Sequence, residues 1–219
     1  AMVSPTYKLY SPPGSFRAFA TLIAAEFNNI PIEVIVDGNL EDAIASKSPT
    51  GKAPILECLP GGEVIFSSHA MARFVAGLRQ DTGLLGNCIQ ERLAIDEWID
   101  WTAQDVELPA CVWFYPVVGY IPSNSEATTK AKEDLKGVLQ ILEDYLSKDD
   151  GQQQTYLVTP QQITLADIVL ACTLLYPFKL VCDEEYLKPF GAVVRWFKTC
   201  ISKKEFIAVV GQVDMFKQR

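Results

Sequence analysis

The chain has 219 residues, 49% of them hydrophobic and 21% charged, which is enough apolar material for one large core or two modest ones. Nineteen Lys and Arg against 27 Asp and Glu leave a net charge of -8. An acidic surface repels phosphate backbones and anionic lipid, so neither direct nucleic-acid binding nor membrane-surface binding is expected.

Strand and helix patterns alternate over the first 80 residues. Thr6 to Tyr10 is a β-prone run stopped by Ser11-Pro12-Pro13-Gly14. Phe16, Phe19, Ala20, Ile23 and Phe27 then recur at helical spacing, and Asn28-Asn29 ends that helix. Ile32, Val34 and Val36 alternate with Glu33 and Ile35 as a strand closed by Asp37-Gly38. A short helix follows from Leu40 to Lys47, stopped ahead of Pro49. Two strands, Ala53 to Cys58 and Glu63 to Phe66, are joined by Leu59-Pro60-Gly61-Gly62, too short a loop for anything but an antiparallel hairpin. Ser67 and Ser68 then offer N-cap side chains to a helix with an apolar stripe of Ala70, Met71, Phe74, Val75 and Leu78. The order β-α-β-α-β-β-α is the thioredoxin-like layout. After a linker at Asp81 to Gly86 the strand patterns vanish. Helices are predicted over about 87–108, 125–146, 165–176 and 190–201, with a last short one near Phe206. The domains are therefore read as residues 1–80, α/β, and 87–219, all-α.

Six cysteines are scattered with no Cys-x-x-Cys pair, so zinc and redox-disulfide motifs are missing and a reducing, cytoplasmic setting is expected. No apolar run reaches the roughly 18 residues of a membrane span. Ala1-Met2-Val3-Ser4 lacks the basic-then-apolar order of a secretory signal, and Ala1 reads as an addition ahead of the native start. The single histidine, His69, excludes multi-histidine zinc catalysis, and no Gly-x-Ser-x-Gly elbow is present. Gly51-Lys52 has Ser46 where a phosphate-cradling loop needs glycine. Hydrolase and nucleotidase chemistry are not expected, nor is a bound metal.

The residues that could carry chemistry lie mostly in the first domain. Ala53-Pro54 opens a strand after a loop. In a thioredoxin-like domain a proline here is cis and turns the preceding backbone toward an extended peptide ligand, although an edge-strand proline without a ligand reads equally. Ser67 and Ser68 open a helix whose N–H groups and dipole suit a carboxylate, while ordinary capping explains the same pair. Lys52 offers a cation for a second carboxylate or is a solvated loop lysine. Tyr10, Ser11 and Ser15 bring hydroxyls to the start of the first helix, where one of them could stabilise a bound thiolate. His69 sits in a first helical turn, where the dipole disfavours its charged form, and is read as structural. In the second domain Thr164-Leu165-Ala166-Asp167 is a capping box with Ile163 and Ile168 as its staple. Trp98, Trp101 and Trp113 stand near Asp96, Asp100 and Asp105, as core, pocket or interface aromatics.

The layout, the Ala-Pro step, the serine cap and the Thr164–Asp167 box together resemble the glutathione transferase fold across essentially the whole chain. Four stretches are more specific: Arg17 to Ala25, Trp113 to Gly119, Thr164 to Ile168 with Cys172 to Leu175, and Arg195 to Cys200 with Phe206 to Gly211. In these the chain is similar to the transferase-like N-terminal domain of the gamma-subunit family of eukaryotic elongation factor 1. The resemblance implies an isolated first domain of a subunit in a guanine-nucleotide exchange complex. It would dock the exchange subunit, with aminoacyl-tRNA synthetases and a second copy of the chain as further partners. It also implies glutathione held by the backbone at Ala53 and Pro54, with Ser67, Ser68 and Lys52 on its carboxylates, and with Ser11 or Ser15 as the activating hydroxyl. Two departures bear on turnover. Ser67 stands where the family commonly has an acidic or amide side chain, and Pro12-Pro13-Gly14 shifts the spacing between the serines and Arg17. A scaffold with weak or no transferase activity is expected, against the alternative of a working theta-like transferase that adds glutathione to electrophiles.

Overall fold

A computed structural model describes residues 6–36, 38, 40–148 and 154–216. Ala1 to Ser4 and the Asp37 side of the expected Asp37-Gly38 turn lie outside the described residues. The chain divides into two compact units, Ala1–Leu85 and Gly86–Arg219.

Unit 1 runs β1 (Thr6–Tyr10), α1 (Phe16–Asn28), β2 (Ile32–Ile35), α2 (Leu40–Lys47), β3 (Ile55–Leu59), β4 (Glu63–Ile65) and α3 (Ser68–Gly77). The sheet order is β2-β1-β3-β4, with β1 parallel to β2 and antiparallel to β3. This is the expected thioredoxin-like arrangement. Leu9, Ile55 and Leu56 are fully buried in the sheet, and α1 packs on α3, with Ile23 and Ala24 of the one and Met71, Ala72 and Val75 of the other buried. Asn29 ends α1 in the left-handed conformation at φ 52°, which an asparagine tolerates. Buried Asn28 does a second job: its Nδ2 donates to the carbonyls of Val75 and Ala76 at 2.7 and 3.1 Å, closing the end of α3.

The second strand differs from its expected alternation. Val34 and Val36 are each 41% exposed, and only Ile32 and Ile35 are half-buried. As the sheet's edge, β2 pairs with β1 alone, so the alternation of apolar side chains never meets a continuous core face.

Among the described residues the regular elements of unit 2 are all helical: α4 (Ile89–Trp101), a π-turn (Thr102–Val106), α5 (Glu107–Phe114), α6 (Ser125–Leu146), α7 (Leu165–Leu180), α8 (Glu184–Leu187), α9 (Gly191–Ile201) and α10 (Lys204–Val210). Two helices run past their expected ends at Leu108 and Tyr176, through the prolines that follow. Between α4 and α5 the backbone widens, with the Glu107 N–H donating to Thr102 O, and the helix continues through Pro109. The wider turn accommodates a residue that has no N–H to give the preceding turn. Further on, α7 carries Pro177 inside it and ends at Leu180. Almost every side chain of α7 is buried, which makes it the central helix of the unit.

The capping box is built as its spacing predicts. Asp167 Oδ2 accepts from the Thr164 N–H at 2.9 Å and from the Thr164 hydroxyl at 3.0 Å. Its other oxygen, Oδ1, accepts from the Leu157 N–H at 2.8 Å and from Trp196 Nε1 at 2.9 Å. Burial pushes the Asp167 carboxyl above its ordinary range, and these donors pull it back.

Candidate functional site

Strand register gathers the chemistry-bearing residues of unit 1 at one end of its sheet. Tyr10 lies opposite Ile55, so one further step along β1 and β3 brings Ser11 level with Pro54. Leu56 lies opposite Ile65, and continuing that antiparallel register by two steps brings Ser67 level with the same proline. Lys52 and Ala53 enter this end from the preceding loop, and Ser15 opens α1 beyond the Pro12-Pro13-Gly14 turn.

The Ala53–Pro54 peptide is cis, and Pro54 is buried. A second cis bond, Leu59–Pro60, lies in the β3–β4 hairpin, where sequence reasoning had assigned only a tight turn. Lys52 is exposed, and its loop is held by Ser48, whose hydroxyl lies 3.3 Å from the Lys52 N–H and 3.2 Å from its carbonyl. Ser67 is the N-cap of α3 with an extended backbone, but its side chain makes no capping bond. Its hydroxyl is exposed, and the first turn of α3 presents N–H groups that no earlier turn can satisfy. Ser68 and His69 are half-buried in that turn.

The three hydroxyls at the end of β1 have separate fates. Ser11 is 2% exposed and donates its hydroxyl to Pro12 O at 3.1 Å, while its N–H goes to Ile35 O. The Tyr10 hydroxyl donates to Glu57 Oε2 at 2.8 Å. Ser15 is half-buried at the head of α1, has an extended backbone, and makes no side-chain capping bond. Of the two candidate serines it alone keeps its hydroxyl for another group.

Sequence reasoning did not assemble the polar cluster on which Tyr10 depends. Glu57 on β3 is 7% exposed and accepts from Tyr10 and from Lys47 Nζ, the latter at 2.5 Å. Lys47 also lies over the Tyr10 ring, 5.8 Å from its centroid. The Lys47 hydrogen bond holds the Glu57 carboxyl below its usual range against the opposing effect of burial. Burial and the Glu57 contact together push the Tyr10 phenol up to about 12. A phenol so placed keeps its proton and directs it into the hydrogen bond to Glu57. The signal was latent in the composition of β3: Glu57 directly follows Ile55 and Leu56, all three are buried, and a carboxylate there needs partners.

Four of the six thiols are shut away from solvent, whereas Cys88 is exposed and Cys58 half-buried. Cys111, Cys172, Cys182 and Cys200 are buried, and burial pushes the last three thiols well up from their ordinary value. Among the described residues no group of three or more His, Cys, Asp or Glu is placed to hold a metal ion, and no helix is long and apolar enough to cross a membrane.

Residues 108–204 match the family described as Glutathione S-transferase, C-terminal domain. Elongation factor 1-gamma of Artemia salina is 38% identical over 213 residues, which cover 95% of this chain and 47% of that protein. Elongation factor 1-gamma-A of Xenopus laevis is 34% identical over 215 residues, covering 94% of this chain and 47% of that protein. The human elongation factor 1-gamma is 32% identical with the same coverage. The chain thus spans about half the length of the curated relatives it matches. Among solved structures, the GST-like domain of elongation factor 1-gamma from Saccharomyces cerevisiae superposes with a TM-score of 0.80 at 22% identity, covering 96% of this chain and 95% of that one. A glutathione transferase from Phanerochaete chrysosporium, in complex with oxidized glutathione, superposes with a TM-score of 0.80 at 17% identity, covering 94% and 95%. The expected fold, a thioredoxin-like domain followed by an all-helical transferase C-terminal domain, is the one observed.

Proposed function

We propose, for a chain that belongs to the glutathione transferase fold family and is related over nearly its whole length to elongation factor 1-gamma, a role as a docking domain of the translation elongation machinery. In this reading its surface binds the guanine-nucleotide exchange subunit of elongation factor 1 in the cytoplasm. Aminoacyl-tRNA synthetases and a second copy of the chain are further partners. The observation that carries the reading is the 38% identity to an elongation factor subunit over nearly the whole chain, against 17% to a solved glutathione transferase of the same fold.

Unit 1 supports glutathione as a ligand of this domain. The sheet register sets Pro54 and the Ala53 main chain level with the head of α3, where Ser67 and Ser68 suit a carboxylate, with Lys52 close in sequence for a second. The group would supply a thiol; the chain's own contribution is to hold its carboxylates and to orient its peptide backbone. Catalysis draws on little: Tyr10 is tied to Glu57 and Ser11 to Pro12 O.

Titration calorimetry with the purified exchange subunit tests the docking role. Saturable one-to-one binding that withstands substitution of Ser11 and Ser15 supports it. Failure to bind at about 100 μM, far weaker than a stable subunit contact requires, would sink it. The second reading, a theta-like transferase, is favoured by one feature: the uncommitted Ser15 hydroxyl at the head of α1.

A further inference from the structure

Unit 2 carries a groove of about 580 Å³, within the range of ligand sites, whose one wall is a stripe of α9 formed by Gly191, Val194, Lys198 and Ile201. Steps of three, four and three residues put these on a single helix face. The segment Val213–Phe216, which has no regular secondary structure, lines the same groove. That segment is tied down at its end, where the Phe216 N–H donates to Phe178 O at 2.8 Å. Between Gly211 and Phe216, the main-chain N–H and C=O groups of Gln212 to Met215 have no hydrogen-bond partner among the described residues.

Four residues of open main chain beside a largely apolar groove restrict what can fill it. A purely apolar ligand would strip water from these groups and leave them unpaired. An occupant with its own main-chain N–H and C=O groups satisfies them, as in strand addition to a free edge. The charges make a second demand. Lys188 is held by Glu185 at 3.5 Å, whereas Glu184, Lys198 and Asp214, all lining the groove, form no ion pair among the described residues. On the α9 wall, a Cβ built at Gly191 meets nothing within 4 Å, so the position is open to a side chain from outside.

We propose that this groove binds an extended polypeptide segment of a partner protein. The segment lies along Gln212 to Met215 as an added strand, sets an apolar side chain over Gly191 and Val194, and brings a basic residue to Glu184 and Asp214 and a carboxylate to Lys198. The inference rests on the docking role only for the existence of a partner, and it needs no glutathione.

The test uses fluorescence anisotropy of the full chain with labelled peptides of about ten residues, a usual strand length, alternating valine with lysine and glutamate. A second peptide of the same sequence is N-methylated at alternate residues, which removes main-chain donors. The mixed-charge peptide is expected to bind saturably and to shift the amide resonances of Gln212 to Met215. N-methylation, Lys198→Glu and Gly191→Trp should each weaken it about tenfold, or 1.4 kcal/mol. Circular dichroism checks folding, and Lys198→Glu, an exposed substitution, decides the matter if Gly191→Trp does not fold. Equal affinity for the N-methylated peptide, indifference to Lys198→Glu, or no saturable binding at about 1 mM, a contact worth only about 4 kcal/mol, would overturn the proposal. So would a dimer that dissociates on Gly191→Trp, since a second copy would then be the occupant. Calorimetry with the exchange subunit is read separately, so a failed groove and a failed docking role are distinguishable.

Discussion

The indole of Trp196 in α9 donates to Asp167 in α7 at 2.9 Å, across 29 residues of chain. Both are buried, and the same carboxylate closes the capping box at Thr164 and holds the Leu157 N–H. One side chain therefore starts the central helix, fixes the segment before it and positions a neighbouring helix. Replacing Asp167 with alanine strands at least two buried N–H donors and should cost about 3 kcal/mol or more. Trp196→Phe removes one donor and part of the buried ring and should cost about 2 kcal/mol or more. Urea denaturation of both single variants and the double variant checks this. The double should fall short of the sum, because once Asp167 is gone the indole N–H has no bond left to lose.

A second carboxylate works from a distance in the same unit. The N-cap position of α9 is Phe190, which offers no side-chain acceptor, and Glu143 of α6 serves instead. It accepts from the N–H groups of Ala192 and Val193 at 3.0 and 2.9 Å. Glu143→Ala should destabilise the chain by about 1–2 kcal/mol, the usual loss of a cap, and Glu143→Gln by less because one acceptor oxygen survives. Hydrogen exchange localises the effect: the first-turn amides of α9 should exchange faster while those of α7 hardly change.

These two contacts show where sequence reasoning stops. Thr164 and Asp167 are three residues apart, so their reciprocal bonds are local and their spacing announces them. Trp196 and Glu143 reach partners 29 and 49 residues away, and only the packed helices bring them together. The boundaries of β1, α2 and α6 were legible because breakers and caps flank them. The expected ends at Leu108 and Tyr176 fall short in α5 and α7, since a helix interior tolerates Pro109 or Pro177 where a wider turn or a buried helix end absorbs the missing bond. In the candidate site the cis proline and the serine at the head of α3 were readable from position, but no local pattern shows that Ser11 faces Pro12 O and that Tyr10 faces Glu57.

The Glu57 cluster gives the chain a pH dependence with a definite sign. Its carboxyl is held below the ordinary value of 4.5, so the folded state binds that proton more weakly than the unfolded state does. The stabilisation is fully present above the unfolded value and is lost as pH falls through the lowered folded one. Denaturant midpoints measured on the acid side, from about pH 6 to about pH 3, should therefore fall more steeply for the wild type than for Glu57→Gln. Parallel curves would mean that Lys47 and Tyr10 do not hold the carboxylate in solution.

The hydroxyls at the end of β1 separate the two functional readings. With its hydroxyl on Pro12 O and its bulk buried, Ser11 should affect stability when changed to alanine, by about 1 kcal/mol, and leave glutathione affinity alone. Tyr10→Phe should do the same, since a phenol pushed up to about 12 and bonded to Glu57 has no proton to spare for a thiolate. Of these three hydroxyls, Ser15 is the one whose substitution is expected to touch the ligand's thiol. The measurement is the thiolate absorbance of glutathione titrated with pH in the presence of saturating protein. If the docking domain merely holds the peptide, the thiol keeps a pKa near the free value of about 8.5 in wild type and in all three variants. A pKa well below that in wild type, restored by Ser15→Ala and untouched by Ser11→Ala, would put the transferase reading first. The same depression abolished by Ser11→Ala would mean that the serine turns outward when ligand binds, and the assignment of the activating hydroxyl would move with it.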